Sequence, residues 1–289
     1  MRLQTKFSST SSRSGEKNLS GRDRRRHRLI PLSTVLRGTR MKKLIKSLIP
    51  QRVRAWLGTS IDYRRLSYSQ EGEDLILASL FDLQFSKTPG FYVDVGAHHP
   101  KLLSNTFVFY MNGWSGINID AAPGSMLAFQ HERPRDINIE AAVGEAGKAL
   151  TFYEFNQPAL NSFCRDRIPT GYFGWTIVRE RQLTTATLAH LLEQHLPPGR
   201  LIDFMTVDVE GFDLRVLKSN DWARFRPAVV LVEDDEAIQS NRFWDSSICR
   251  YMSQQGYNYC CNTLLTTFFV DQEQVESTLR GTRVRPRSS

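Results

Sequence analysis

Asp94, Gly96 and Asp120 carry the first chemistry that can be read in this chain. Asp94 and Gly96 lie in Tyr92-Val93-Asp94-Val95-Gly96-Ala97-His98-His99, and Asp120 closes Gly116-Ile117-Asn118-Ile119-Asp120. Two short β-rich runs each end in a carboxylate, and the first opens into a glycine turn. That pattern builds a nucleotide-sized pocket at the carboxyl ends of the strands of an open α/β sheet. The glycine lets backbone approach a ligand, and the second acid can accept both ribose hydroxyls. The turn Gly96-Ala97-His98-His99-Pro100 lacks the G-x-G-x-x-G spacing of a dinucleotide site, and no G-K-[ST] follows a strand. A ribose-binding acid without a phosphate cradle points to an adenosyl ligand without phosphates. S-adenosyl-L-methionine is the common one, and NAD is disfavoured.

The elements that must position these residues alternate between strand and helix. Ser67-Tyr68-Ser69-Gln70 followed by Glu71, Glu73 and Asp74 predicts a hydroxyl-capped helix start with acids in its first turn. Strands are expected at Phe91–Val95, Gly116–Asp120, Ile137–Val143, Phe204–Val209 and Ala228–Glu233, with an extra one at Thr151–Phe155. Helices are expected from Ser104 to Met111, with Phe107, Tyr110 and Met111 facing the core, and from Pro123 to Arg133. Two more cover Thr187–His195 and the stretch after Glu210-Gly211. Tyr257–Asn262 and Leu265–Val270 read as a terminal antiparallel pair. Such alternation makes a doubly wound, mostly parallel sheet. Asn156 to Tyr172 is a long polar loop, and loops of that length are commonly functional.

Charge divides the chain. Residues 1–66 carry eighteen Lys/Arg against three acids, residues 67–279 carry sixteen against twenty-seven, and residues 280–289 add four arginines, giving the net +8. The body is acidic and the ends are basic. A nucleic-acid enzyme wants positive charge around its cleft, so no nucleic-acid partner is expected. Residues 1–40 read as a disordered basic tail, although Met41-Lys42-Lys43-Leu44 also resembles a natural start. Residues 41–66 read as a basic amphipathic extension that packs loosely or touches an anionic membrane surface, and 280–289 as a basic tail. Four cysteines without CxxC spacing suggest neither zinc nor a disulfide framework. No apolar run is long enough to span a bilayer, so a cytoplasmic protein is expected, in peripheral contact at most with the inner membrane face.

Four motifs together carry a family resemblance. They are Ser67-Tyr68-Ser69-Gln70-Glu71-Gly72-Glu73-Asp74, Val93-Asp94-Val95-Gly96-Ala97-His98, Asn112-Gly113-Trp114-Ser115-Gly116-Ile117-Asn118-Ile119-Asp120, and Asp203-Phe204-Met205-Thr206-Val207-Asp208-Val209-Glu210-Gly211-Phe212-Asp213. In this order they resemble the FkbM-type methyltransferases, S-adenosylmethionine-dependent enzymes of the Rossmann-like class I fold. The resemblance implies methyl transfer, largely to hydroxyls of sugars, polyketides and other small molecules.

It also implies roles. Asp94 and Gly96 would approach the methionine end of the cofactor, with Gln70, Glu73 and Asp74 over its entrance. His98 or His99 would line the pocket. Asp120 would hold the ribose, and Ala141 and Ala142 would face the adenine. Asp208 and Glu210 follow strand four, where class I enzymes face methyl group and acceptor, so either could remove the acceptor proton. Glu233-Asp234-Asp235 with Asp208 resembles the carboxylates of metal-dependent O-methyltransferases, yet no required metal is expected, and chelation would decide. Asn161, Ser162, Arg165, Tyr172 and Trp175 would form an acceptor lid. The rivals are a nucleic-acid methyltransferase using the basic ends and a non-catalytic adenosyl-binding protein.

Overall fold

A computed structural model describes residues 65–81, 83, 88–167, 172–240 and 243–271. The chain divides into units Met1–Tyr63 and Arg64–Ser289, and every described residue belongs to the second. The readings of residues 1–40, of 41–66 apart from Arg65 and Leu66, and of 280–289 lie outside the described residues.

Seven strands form the main sheet: β1 Phe91–Val95, β2 Ser115–Asp120, β3 Ile137–Glu140, β7 Phe204–Val207, β8 Val229–Glu233, β9 Asn258–Asn262 and β10 Thr266–Val270. Their order is β3-β2-β1-β7-β8-β10-β9. The first five are mutually parallel, while β10 runs antiparallel to both β8 and β9. The mostly parallel, doubly wound sheet with its closing antiparallel pair is the architecture expected from the sequence.

Side-chain alternation covers both faces. Val93, Val95, Ile117, Met205, Val207, Val230 and Val232 pack on one side against Leu188 and Leu192 of α4 (Leu188–His195). Val216 of α5 (Asp213–Lys218) and Met252 of α7 (Ser247–Gln254) join them. Tyr92, Phe204, Leu231 and Phe268 pack on the other, against Leu77 of α1 (Glu73–Leu80) and Phe109 of α2 (Phe107–Met111). Strands buried on both faces read as continuous apolar runs, which is why β8 is Val-Val-Leu-Val-Glu. Helix α3 (Met126–Glu132) buries Met126 and Phe129 against Ala97, and α6 spans Asp235–Ser240.

A second sheet is built from β4 (Ala142–Val143), β5 (Ala149–Phe155) and β6 (Ile177–Ala186), in the order β4-β6-β5. The expected strand Ile137–Val143 therefore breaks at Ala141 and changes sheets. Strand β6 has no counterpart in the sequence reading, because its stretch Val178-Arg179-Glu180-Arg181-Gln182 is charged and largely exposed, so no apolar face marks it. Helix α2 begins at Phe107, later than expected, since the Ser104 hydroxyl accepts the Phe107 amide at 3.2 Å. Met111 is exposed, and Phe109 fills the core instead. Gly72 stands at the N-cap of α1 with φ 89°, and Ser67 and Ser69 donate to the Asp74 carboxylate at 2.7 and 3.0 Å.

One fully buried cation braces the β1–α2 loop. Arg133 lies just past α3 and is 0% exposed. Its Nε donates to Asp136 at 2.8 Å, Nη2 to the Tyr92 hydroxyl at 2.7 Å, and Nη1 to Thr106 Oγ1 at 3.0 Å and the Pro100 carbonyl at 3.3 Å. A buried arginine is tolerated when its donors are matched in this way.

Candidate functional site

Register places the site. Val95 pairs with Ile119 on one side and Val207 on the other, so Gly96, Asp120 and Asp208, each one residue further, emerge side by side. Connections leave β1 and β7 in opposite directions along the sheet, and the crevice at such a switch point is where open α/β sheets bind ligands.

A cavity of about 480 Å³ opens there, lined by Gly96, His98, Asp120, Ala141, Val143, Phe152, Asn161, Phe163, Asp208 and Glu210 among others. This is the size of a small-molecule site. A smaller recess of about 60 Å³ adjoins it, lined by Gln70, Glu73, Asn105, Glu233 and Thr266. Gly96, His98, Asp208 and Glu210 border both.

Asp120 is held for bidentate contact. One carboxylate oxygen accepts the His98 amide at 2.9 Å and the other the Ala122 amide at 2.8 Å. Burial pushes its carboxyl above the usual range, opposed by those two amides. His98 reaches this position by adopting φ 52°, and burial lowers the basicity of its ring. His99 Nδ1 accepts the amides of Lys101 and Leu102, so it serves the loop as a turn former.

Gly96 has φ +86°, and a β-carbon there would lie 1.7 Å from the Asp208 carbonyl oxygen. Its close approach is thus to the neighbouring loop as well as to the cavity it lines. Asp94 lines neither cavity. It lies on the face of β1 that carries Tyr92, accepts the Thr106 hydroxyl at 2.8 Å, and is pushed up to about 6 chiefly by burial. Ala142 lies behind Ala141 and Val143, which face the cavity on either side of it.

Asp208 and Glu210 stand on a turn stitched at several points. Glu210 has φ 56°, outside the range most residues adopt. The Asp213 carboxylate accepts the amides of Val209 and Gly211, both at 3.0 Å. Ser162, only 1% exposed, donates its hydroxyl to the Glu210 carbonyl at 2.7 Å and accepts the Cys164 amide at 2.8 Å. Ser162 also lines the cavity, with its hydroxyl engaged in holding the turn. Asn161 lines the cavity while its side-chain oxygen accepts the Phe155 amide. Tyr172 opens a 3-10 turn to Gly174, and its side chain lies outside the described residues.

The sequence reading passed over Arg167. Its Nε meets Glu210 and its Nη2 meets Glu233, each at 2.7 Å, and its Nη1 pairs with Asp235. A lone arginine in a polar loop carries no sequence signal, and only the fold reveals its partners. Burial, then the mutual repulsion of the acids, holds the carboxyls of Glu210 and Glu233 well above the usual range, and Asp208 is raised chiefly by burial. Gln70 and Glu73 border the recess, with Glu73 accepting the Glu71 amide at 2.8 Å. Asp74 is buried beneath Ser67 and Ser69, and Asp234 turns away to Ser246.

The arrangement offers a ribose-type acceptor pair, an apolar slot and an acidic recess, meeting at one edge of the sheet. Among solved structures, a methyltransferase FkbM from Methylobacillus flagellatus KT is similar with a TM-score of 0.40 at 11% identity, over 70% of this chain and 48% of that one. This chain thus spans about half the length of that protein. An O-methyltransferase from Bacillus cereus, in complex with SAH, has a TM-score of 0.32 at 9% identity, over 79% of this chain and 96% of that one. No curated protein matches. The methyltransferase FkbM domain model matches residues 94–259, more than half of the chain, and the chain belongs to the FkbM methyltransferase family.

Proposed function

We propose that this protein uses S-adenosyl-L-methionine to methylate a hydroxyl group of a sugar, glycan or other small molecule. The observation that carries the reading is the meeting of the two cavities at Gly96, His98, Asp208 and Glu210. The larger cavity suits an adenosyl group: Asp120 presents two oxygens for ribose hydroxyls, and Ala141, Val143 and Phe163 supply an apolar slot for a flat ring.

When bound, the cofactor supplies an electrophilic methyl group on a positively charged sulfur. The chain supplies the rest. Glu210 and Asp208 stand at the junction, where an acceptor hydroxyl entering the smaller recess would be presented. Either of these carboxylates would take the proton that the acceptor hydroxyl gives up on methylation. Holding the acceptor oxygen in line contributes most of the acceleration. Arg167 fixes one oxygen of Glu210.

The acidic balance of residues 67–279 favours a neutral or cationic acceptor over nucleic acid. Among the described residues no helix is long and apolar enough to cross a membrane. We infer a cytoplasmic protein whose basic N-terminal segment, residues 41–66, touches anionic lipid weakly at most.

Incubation with methyl-labelled cofactor and fractionated extract tests the proposal. Label in a polysaccharide or small-molecule fraction is the expected result. Label in RNA or DNA, or normal cofactor binding without transfer to any fraction, would replace it with one of the two rival readings.

A further inference from the structure

Asp208, Glu210 and Glu233 each bring a carboxylate oxygen within 4.8 Å of the others. Acidic clusters are common at strand ends, and what sets this one apart is an orphan. Glu233 Oε1 is taken by Arg167, but Glu233 Oε2 is buried and has no hydrogen-bond partner among the described residues, in a side chain only 8% exposed. A buried carboxylate oxygen without a donor is a costly arrangement.

Arg167 does not resolve the imbalance. Its three nitrogens reach Glu210, Glu233 and Asp235, so one positive charge faces those three acids and Asp208 as well. Glu73 lines the recess as a further acid. Arg167 engages one oxygen each of Glu210, Glu233 and Asp235 and leaves the second oxygen of each. The recess beside them, with Gln70 and Thr266 on its wall, has room for several waters.

We propose that Asp208, Glu210 and Glu233 bind a hard divalent cation, of the class of magnesium, manganese or calcium, with water completing its coordination. An all-oxygen set of three carboxylates selects such ions over zinc or copper. Arg167 stays in place on the outer side, orienting two of the three ligands through their second oxygens, a supporting arrangement that tunes metal sites. The binding stands on the three carboxylates alone. Only a role for the ion in presenting an acceptor hydroxyl rests on the function proposed above.

The test is a manganese titration of the full chain after chelator treatment, followed by electron paramagnetic resonance. Thermal midpoints with magnesium and calcium run in parallel. One saturable manganese site and a midpoint that climbs with magnesium or calcium are expected. Glu233→Gln should weaken manganese binding at least about tenfold, and the surface variant Glu132→Gln should leave it unchanged. If Glu233→Gln fails to fold, Asp208→Asn carries the same comparison. Absence of a saturable site, or equal affinity in the folded variant and the parent, overturns the proposal. Calorimetry with S-adenosyl-L-methionine on the metal-free chain keeps the two readings apart. Cofactor heat without manganese binding sinks only the ion, and manganese binding without cofactor heat sinks only the proposed function.

Discussion

Ser162 donates its hydroxyl to the backbone carbonyl of Glu210 at 2.7 Å, across 48 positions of sequence. The bond joins the wall of the second sheet to the turn that follows β7. It secures a glutamate whose backbone sits at φ 56°, a conformation that persists only when its surroundings enforce it. Replacing Ser162 by Ala leaves a buried carbonyl without its partner, at a cost of about 1–3 kcal/mol. The turn then relaxes, and methyl transfer is expected to fall roughly tenfold while cofactor affinity changes little. Denaturant unfolding and steady-state kinetics on the same variant check both parts.

Asp120→Ala removes a side chain that offers the larger cavity two oriented oxygens. A charge-assisted hydrogen bond is worth about 1.5–3 kcal/mol, so affinity for the cofactor should drop by roughly ten- to a hundredfold. Calorimetric titration with the cofactor or its demethylated product measures this directly. Unchanged affinity would remove Asp120 from the ribose role.

Gly96→Ala should be among the most damaging single substitutions in the chain. The added methyl group would stand 1.7 Å from the Asp208 carbonyl, at a φ of +86° that alanine disfavours. Backbone against backbone leaves nothing flexible to yield. We expect a loss of more than about 3 kcal/mol and no measurable cofactor binding, read by thermal unfolding and calorimetry.

Asp94 gives a pH prediction. Burial raises its carboxyl from 3.8 to about 6, partly offset by Arg133 and Thr106. The folded chain therefore holds this proton where the unfolded chain has lost it, and stability falls as pH rises from about 4 to about 6. At about 1.4 kcal/mol per pH unit, the charged group costs on the order of 2–3 kcal/mol above that window. Asp94→Asn should remove this part of the slope and gain most at neutral pH. Unfolding free energies of both proteins at pH 4.5 and 7.5 test it, and equal slopes would count against the burial argument.

The sheet was legible because its strands are apolar on both faces and end in acids or glycine. Val93-Asp94-Val95-Gly96 and Val229-Val230-Leu231-Val232 each announce a covered strand and its exit. Where the pattern depends on one-sided exposure it failed, as at β6, whose charged face hides a ten-residue strand. Side-chain direction was the other blind spot. Asp94 and Asp120 both sit near strand ends, yet Asp94 turns to Thr106 beneath the sheet while Asp120 faces the cavity. Arg167 lay beyond reach altogether, and Ser162 reads in the sequence as part of a lid and not as a brace for the turn, since their partners are more than forty positions away and only the folded chain brings them together.

The guanidinium of Arg133 has a consequence for ligand encounter. It anchors Pro100 and Thr106 to Asp136 and Tyr92, so the segment bearing His98 is fastened at its far end by an ion pair that no solvent reaches. Shifting that segment means tearing the pair apart. The floor of the cavity thus stands finished before any visitor arrives, and the entropy of ordering falls on the guest and not on the host.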